Sequence, residues 1–101
     1  MQEVTVKERE PALVIALSGE IDSRNADEFY AEAEDLYSAA PRDVIFDCSA
    51  LAFIDSTTLG TFVKLHKKIS AGGHHARLIG LQPRLKKLFV ICALDTVMEI
   101  E

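Results

Sequence analysis

The residues best suited to chemistry lie in one stretch, Asp55 to Gly60, which reads Asp-Ser-Thr-Thr-Leu-Gly. A serine beside an aspartate suggests a nucleophile, and a nucleophilic serine needs a base such as histidine within about 3 Å. His66 lies ten residues after Ser56 on the same predicted helix, which places it about 15 Å away. The other histidines, His74 and His75, follow the end of that helix. We therefore predict that Ser56 is not a catalytic nucleophile and that the chain is not an enzyme.

Helix capping is the simplest alternative role for this stretch, because Asp and Ser side chains accept hydrogen bonds from the unpaired N–H groups of a helix start. Several features exceed what a cap requires. Asp55 and Ser56 are both capping residues where one suffices, and two β-branched threonines follow in the first turn. Gly60 lies inside the helix at a cost of about 1 kcal/mol relative to alanine. Such a small, polar helix start suits the docking of another molecule, and both interpretations stay open at this point.

Other motifs for catalysis, phosphate binding or metal binding are missing from the sequence. It contains no Gly-x-Ser-x-Gly elbow and no Gly-Lys-Ser/Thr loop. The pair His74-His75 is predicted to be exposed in a loop rather than to bind metal. We predict no metal and no cofactor. Cys48 and Cys92 are 44 residues apart with no partner at metal-binding spacing, and we predict that both are reduced thiols in the core.

Hydrophobic periodicity predicts the elements that position this stretch. Strands are expected at residues 4–6, 12–17, 76–80 and 97–100, and a further strand is expected to start with residues 44–46. Helices are expected at residues 24–40, from after Asp55 to a stop at Gly72-Gly73, and from Pro83 through Cys92. The order β-β-α-β-α-β-α-β predicts an α/β fold, a mostly parallel, mixed five-stranded sheet with about three helices. The first strand is expected to pair antiparallel at or near an edge. The strand at residues 12–17 is apolar throughout and is expected to be covered on both faces.

The carboxyl ends of parallel strands define the expected site, because their loops gather at one edge of the sheet and ligands bind there. The segments expected at this edge are residues 19–23, 49–58 and 80–84. The side chains that they bring together are Asp22, Asp55, Ser56, Thr57 and Thr58, with Arg24 and Arg84 nearby.

Composition limits the classes of partner. The 101 residues are expected to form a single domain, residues 1–101. The net charge of −5 argues against nucleic-acid binding, which needs an excess of Lys and Arg. The longest apolar run has seven residues, whereas a membrane span needs about 20, and the first residues lack a signal-peptide core. A cytoplasmic location without membrane contact is therefore expected.

The charge is unevenly distributed along the chain. Residues 1–50 carry a net charge of −8 and residues 51–101 a net charge of +3. This polarity fits either two solvated faces or a surface that orients a protein partner.

Asp55 to Gly60, preceded by the apolar pair Phe53-Ile54, resembles the Asp-Ser-Ser/Thr-Gly-Leu-Gly signature of STAS domains, especially bacterial anti-sigma factor antagonists. Residues 18–22, Ser-Gly-Glu-Ile-Asp, resemble the Gly-Glu-Leu-Asp element after the second strand of that family. Residues 85–89, Leu-Lys-Lys-Leu-Phe, are similar to a segment of its third helix. The resemblance covers almost the whole chain and implies the STAS fold.

The resemblance also implies a phosphorylation-controlled partner switch. By position, Ser56 corresponds to the serine that an anti-sigma factor, itself a serine kinase, phosphorylates in that family. The unphosphorylated form binds this kinase and frees the sigma factor, phosphorylation releases it, and a phosphatase restores it. ATP belongs to the kinase, so the chain itself holds no cofactor. The residues implied to bind the partner are Asp22, Asp55, Ser56, Thr57, Thr58, Leu59 and Gly60.

The sequence departs from the family pattern in ways that concern the partner surface. The family's glycine is Thr58 here, which is expected to add bulk where the partner approaches. The sequence stops at Glu101, directly after the last predicted strand, without the C-terminal helix of many relatives. We therefore expect some exposed apolar surface and either a monomer or a weak dimer.

Functions of other classes fit the same residues. A STAS subunit that acts structurally, in a signalling complex or beside a lipid-transport ATPase, needs no phosphorylation. An enzyme or small-ligand binder would use the carboxylates at the sheet edge, since a fold does not fix a function. Phosphorylation of Ser56 distinguishes the partner switch from the structural subunit.

Overall fold

The computed structural model describes residues 2–101, which form one five-stranded sheet covered by helices. The strands are β1 (Gln2–Glu8), β2 (Leu13–Ile21), β3 (Val44–Ile54), β4 (Ala76–Ile79) and β5 (Glu99–Ile100). The helices are α1 (Ala26–Ala39), α2 (Ser56–Ala71) and α3 (Pro83–Ile91), and a 3-10 turn at Leu94–Thr96 precedes β5.

The strands lie in the sheet in the order in which they occur in the chain. β1 runs antiparallel to β2 at one edge, and every other neighbouring pair is parallel. The predicted order of elements, the mixed sheet and the edge position of the first strand are therefore confirmed.

Four phenylalanine rings connect the helices to the centre of the sheet. Phe62 of α2 lies in the middle, and its ring centroid is 5.2 Å from that of Phe29 in α1. The centroids of Phe46 in β3 and Phe89 in α3 are 5.6 Å and 5.7 Å from it. All four side chains are at most 1% exposed. α1, α2 and α3 therefore share a single core on one face of the sheet.

The opposite face of the sheet is only partly covered. Along β2 the alternate residues Leu13, Ile15 and Leu17 are buried, whereas Val14 and Ala16 between them are half-buried. The expectation that residues 12–17 are covered on both faces is therefore wrong. On this second face β2 carries the β-branched side chain of Val14 and the small side chain of Ala16.

β3 is longer than predicted. The sequence predicts a strand that starts with residues 44–46 and gives way to a loop at residue 49. The strand instead continues to Ile54, because Leu51 and Ile54 are buried and pairing with β2 extends to Ile21. Residues 49–54 are therefore part of the sheet, and Asp55 is the first residue beyond it.

The predictions for α3 and the cysteines are only partly correct. Cys48 is buried as predicted, and burial raises the pKa of its thiol to about 12. Cys92 is exposed rather than in the core, because α3 ends at Ile91 and only Leu85 and Phe89 of this helix are buried. Apolar surface is exposed around this helix, as expected, at Leu88, Val90, Ile91 and Val97.

Candidate functional site

Two aspartates leave the sheet next to each other. Ile21 and Ile54 are paired at the ends of the parallel strands β2 and β3. The residues that follow them, Asp22 and Asp55, therefore begin adjacent loops at the same edge. This is the edge at which ligands bind in parallel sheets, so the structure brings these two predicted site residues together.

Asp55 joins the start of α2 to the loop that follows β2. One carboxylate oxygen accepts the backbone N–H of Thr58 at 3.1 Å, which caps the helix. The other accepts the backbone N–H of Ser23 at 2.9 Å. Burial disfavours the charged form of Asp55, but these hydrogen bonds outweigh it and hold the pKa of the carboxyl below its ordinary value. The capping interpretation of the motif is therefore correct for Asp55.

Thr58 points into the protein rather than towards a partner. Its side chain is fully buried, and its hydroxyl donates to the backbone carbonyl of Ile21 and lies 3.1 Å from Asp55 Oδ1. The expectation that Thr58 adds bulk to the docking surface is therefore wrong for its side chain. Leu59 is also buried, at 7% exposure.

Three residues of the motif remain on the surface: Ser56, Thr57 and Gly60. Ser56 is the first residue of α2, directly after the capping residue Asp55. A Cβ atom built on Gly60 would have no other atom within 4 Å, so the fold of residues 2–101 does not require glycine there. The exposed part of the helix start is therefore small, polar and next to a carboxylate.

Asp22 is held by the arginine two residues after it. Its carboxylate accepts the Arg24 side chain at 3.0 Å from Nε and 2.6 Å from Nη2, as well as the Arg24 backbone N–H at 2.9 Å. These bonds, the side-chain bond first, lower the pKa of Asp22 to about 2. Asn25 orders the same turn, because its side chain accepts from Asp22 N–H and donates to the carbonyl of Glu20. The turn therefore presents an ionised, paired carboxylate.

β3 and α3 contribute two further residues to this edge. The Arg84 guanidinium donates to the backbone carbonyl of Ala52, which places the start of α3 beside the end of β3. Phe53 is 42% exposed although its neighbour Ile54 is buried. In the sequence, Phe53 is noted only as an apolar residue before the motif. Its exposure could have been predicted, because side chains alternate between the two faces along a strand and Ile54 is the inward one.

Asp55 is poorly placed to act as a general base for Ser56. Both oxygens of the Asp55 carboxylate accept hydrogen bonds from backbone N–H groups. The lowered pKa of this carboxyl also makes it a weak general base. His74 lies beyond the far end of α2, with its Nδ1 2.9 Å from the Tyr37 hydroxyl. Within residues 2–101, no three His, Cys, Asp or Glu side chains are grouped to hold a metal ion. No helix in this range is both long and apolar enough to cross a membrane.

Comparison with known proteins places this geometry among known folds. The family model of the STAS domain matches residues 3–101. An anti-sigma-B factor antagonist of Listeria monocytogenes is 33% identical over 100 residues, 97% of this chain and 87% of that protein.

Solved structures have the same fold. An anti-sigma factor antagonist from Mycobacterium paratuberculosis superposes with a TM-score of 0.88 at 19% identity, over 99% of this chain and 85% of that one. The phosphorylated form of the Bacillus cell fate determinant SpoIIAA superposes with a TM-score of 0.73 at 22% identity, over 100% and 91% of the two chains. The family model covers nearly the whole chain and the Listeria relative is 33% identical, so the chain belongs to the STAS domain family.

Proposed function

We propose that this chain is an anti-sigma factor antagonist that works by partner switching in the cytoplasm. In its unphosphorylated form it binds an anti-sigma factor that is a serine kinase, and this binding frees the sigma factor. The kinase, which carries the ATP, phosphorylates Ser56 and thereby ends the interaction. A phosphatase removes the phosphate and restores binding.

The observation that carries this proposal is the exposed hydroxyl of Ser56 beside a fixed carboxylate. Ser56 lies on the surface in the first turn of α2, and the neighbouring Asp55 already caps the helix. Thr58 is excluded as an acceptor because its side chain is fully buried. The related proteins named anti-sigma factor antagonists, and a phosphorylated form among the solved structures, support the same assignment.

The proposed transfer divides the chemistry between the two proteins. Ser56 Oγ forms a bond to the γ-phosphorus of ATP, the bond from that phosphorus to the β–γ bridging oxygen breaks, and ADP leaves. The serine proton goes to a base of the kinase, because Asp55 is occupied in capping and its pKa is lowered. This chain therefore acts as a substrate and a binding partner rather than as a catalyst.

Charge explains why phosphorylation would end the interaction without unfolding the protein. A phosphate adds a charge of about −1.5 to −2 next to Asp55 and close to Asp22, which increases repulsion and the cost of desolvation in a tight interface. Within the domain, the N-terminus of α2 offsets part of this repulsion, since its dipole favours anions by about 0.3–1 kcal/mol. We expect phosphorylated protein and Ser56→Asp to keep the native circular dichroism spectrum and to lose partner affinity.

Intact-mass measurement after incubation with an anti-sigma serine kinase from the same genome and ATP tests the proposal. We expect one added phosphate in the wild type and in Thr57→Ala, the matched control that removes the neighbouring exposed hydroxyl. Ser56→Ala should gain no phosphate, should still bind the kinase in calorimetry, and should not be released by ATP.

Two outcomes would contradict the proposal. If Ser56→Ala still gains a phosphate, Thr57 rather than Ser56 is the phosphorylated residue. Partner binding without any phosphorylation in the wild type would instead favour the non-switching structural STAS subunit.

A further inference from the structure

Arg24 is an exposed arginine that lies near two carboxylates. The Arg24 side chain is 75% exposed, whereas that of its partner Asp22 is 11% exposed. A second carboxylate, that of Glu20, lies 3.7 Å from Arg24 Nη2. The guanidinium is therefore mostly in solvent although Asp22 is buried, and only an anion that binds it more strongly than a carboxylate, such as a phosphate dianion, would draw it away from Asp22.

Ser56 is close to this pair because Asp55 connects the two loops. Ser23, the residue before Arg24, donates its backbone N–H to Asp55 Oδ2 at 2.9 Å. Arg24 directly follows Ser23, and Ser56 directly follows Asp55. The hydrogen bond between Ser23 and Asp55 therefore brings Arg24 and Ser56 close to each other. Asp55 cannot leave this position without uncapping α2.

A phosphate on Ser56 would enter a surface that already holds two ionised carboxylates. Asp55 is fixed by the N–H groups of Thr58 and Ser23, and it therefore stays charged beside the phosphate. A guanidinium binds phosphate through two parallel hydrogen bonds, and such charge-assisted pairs are stronger than neutral hydrogen bonds. Arg24 is the basic residue of the turn that Asp55 holds against α2.

We propose that Arg24 is the counter-charge of phosphorylated Ser56, and that it turns from Asp22 to the phosphate when this residue is modified. This inference rests on the proposed function, since it assumes a phosphate at Ser56. The exchange takes the guanidinium away from Asp22, a residue of the predicted partner surface whose carboxylate keeps the hydrogen bond from the Arg24 backbone N–H. One phosphate thus changes the charge presented at two positions of that surface.

The test uses the whole protein with phosphoserine incorporated at position 56 by genetic-code expansion, so that no kinase is needed. Phosphorus NMR titration gives the second pKa of the phosphate, which is ordinarily about 6. We expect this pKa to be at least about 0.5 higher in Arg24→Gln than in the wild type, because the cation that favours the dianion is lost. Arg24→Lys keeps the positive charge but loses the guanidinium that forms two parallel hydrogen bonds, so its phosphate pKa should be intermediate.

Two further variants separate a specific contact from a general change of charge. Arg77→Gln is the matched control, because Arg77 is an arginine paired with Glu101 at 3.0 Å near the start of β4, away from Ser56. It should leave the phosphate pKa unchanged. Asp22→Asn frees Arg24 and removes a negative charge, so it should lower the phosphate pKa.

A direct spectroscopic signal accompanies the titration. The Nε–H resonance of Arg24 should shift when Ser56 is phosphorylated and should be insensitive to phosphorylation if the guanidinium stays on Asp22. Equal phosphate pKa values in the wild type and Arg24→Gln, or a rise in Asp22→Asn, would overturn the inference. Failure of a kinase to modify Ser56 would contradict the proposed function alone, since the incorporated phosphoserine reports on Arg24 in either case.

Discussion

The hydroxyl groups of Ser56, Thr57 and Thr58 are consecutive in the chain but lie in different environments. Successive residues of a helix are rotated by about 100°, so two of them face solvent while Thr58 turns inward to the carbonyl of Ile21. A kinase that approaches from solvent can reach only the outer hydroxyls. The inner one has a structural role, because it ties the start of α2 to the end of β2.

A substitution at Gly60 can test stability and partner binding separately. It is exposed inside α2, and nothing lies within 4 Å of the position of an added Cβ. We expect Gly60→Ala to raise the free energy of unfolding by about 0.5–1 kcal/mol, because alanine is the better helix former. Urea denaturation measures this change.

Partner affinity is the second readout for Gly60→Ala. If the partner approaches the helix at this point, the added methyl group should weaken binding while the protein becomes more stable. A variant that is less stable than the wild type would contradict the open space around Gly60.

Among the elements, α2 makes the contacts that hold the helical layer together. Its Phe62 touches one ring from each of α1, β3 and α3. We expect Phe62→Ala to lower the free energy of unfolding by about 3–5 kcal/mol, through lost burial and a cavity between these elements. The measurement is urea denaturation followed by circular dichroism.

Leu88→Ala is the matched control for this prediction, because Leu88 is an apolar residue of a neighbouring helix that is 36% exposed. Its effect should be within about 0.5 kcal/mol, as for most surface substitutions. A loss of less than 1 kcal/mol in Phe62→Ala, near the surface value, would show that the four rings are not the centre of the core.

The sequence predicts the number and order of elements because each helix and strand has its own periodicity. It predicts the end of β3 less well, because Ser49 and Ala50 interrupt the apolar pattern although the strand continues to Ile54. The prediction that Cys92 lies in the core is wrong. The nine-residue helix α3 is buried only at Leu85 and Phe89, and Cys92 directly after it is exposed.

The candidate site is predictable only in part. Asp22, Asp55 and Ser56 follow from strand ends and from the family motif. The hydrogen bond between Ser23 and Asp55 joins loops 32 residues apart, and no local pattern indicates it. The inward direction of Thr58 likewise depends on where the carbonyl of Ile21 lies.

Across the whole molecule, one ion pair connects the edge strand to the middle of the sheet. Lys7 Nζ in β1 lies 2.7 Å from Asp47 Oδ2 in β3. β2 runs between these strands, and the small side chain of Ala16 is paired with Thr5 on one side and Asp47 on the other. The lysine side chain can therefore reach across β2 on the partly covered face.

This ion pair makes the stability of the protein depend on pH. The hydrogen bond from Lys7, followed by those from the Ser49 hydroxyl and backbone N–H, lowers the pKa of Asp47 from 3.8 to about 2. Between these values the unfolded chain binds a proton that the folded chain does not, so the contribution of Asp47 is complete above about pH 4 and is lost as the pH falls towards 2. We expect Asp47→Asn to be less stable than the wild type at pH 7, with a difference that shrinks as the pH falls through this range.

Urea denaturation from pH 7 to pH 2 measures this dependence. Lys7→Gln should change the slope in the same direction but by less, because it removes the first cause of the lowered pKa of Asp47 while the hydrogen bonds from Ser49 remain. Parallel curves for the wild type and Asp47→Asn would contradict the assignment of this slope to the ion pair.

The register of the outer strands has a practical consequence for binding assays. Gln2 is paired with Gly19 near the end of β2, and Ile100 is paired with Leu78 near the end of β4, so an affinity tag or dye fused at either end would crowd the same side as Ser56. The exposed residue Ala71, at the far end of α2, lies on the other side. Immobilisation through a thiol introduced as Ala71→Cys, with the exposed Cys92 replaced as Cys92→Ser, would orient every molecule with Ser56 towards the solution.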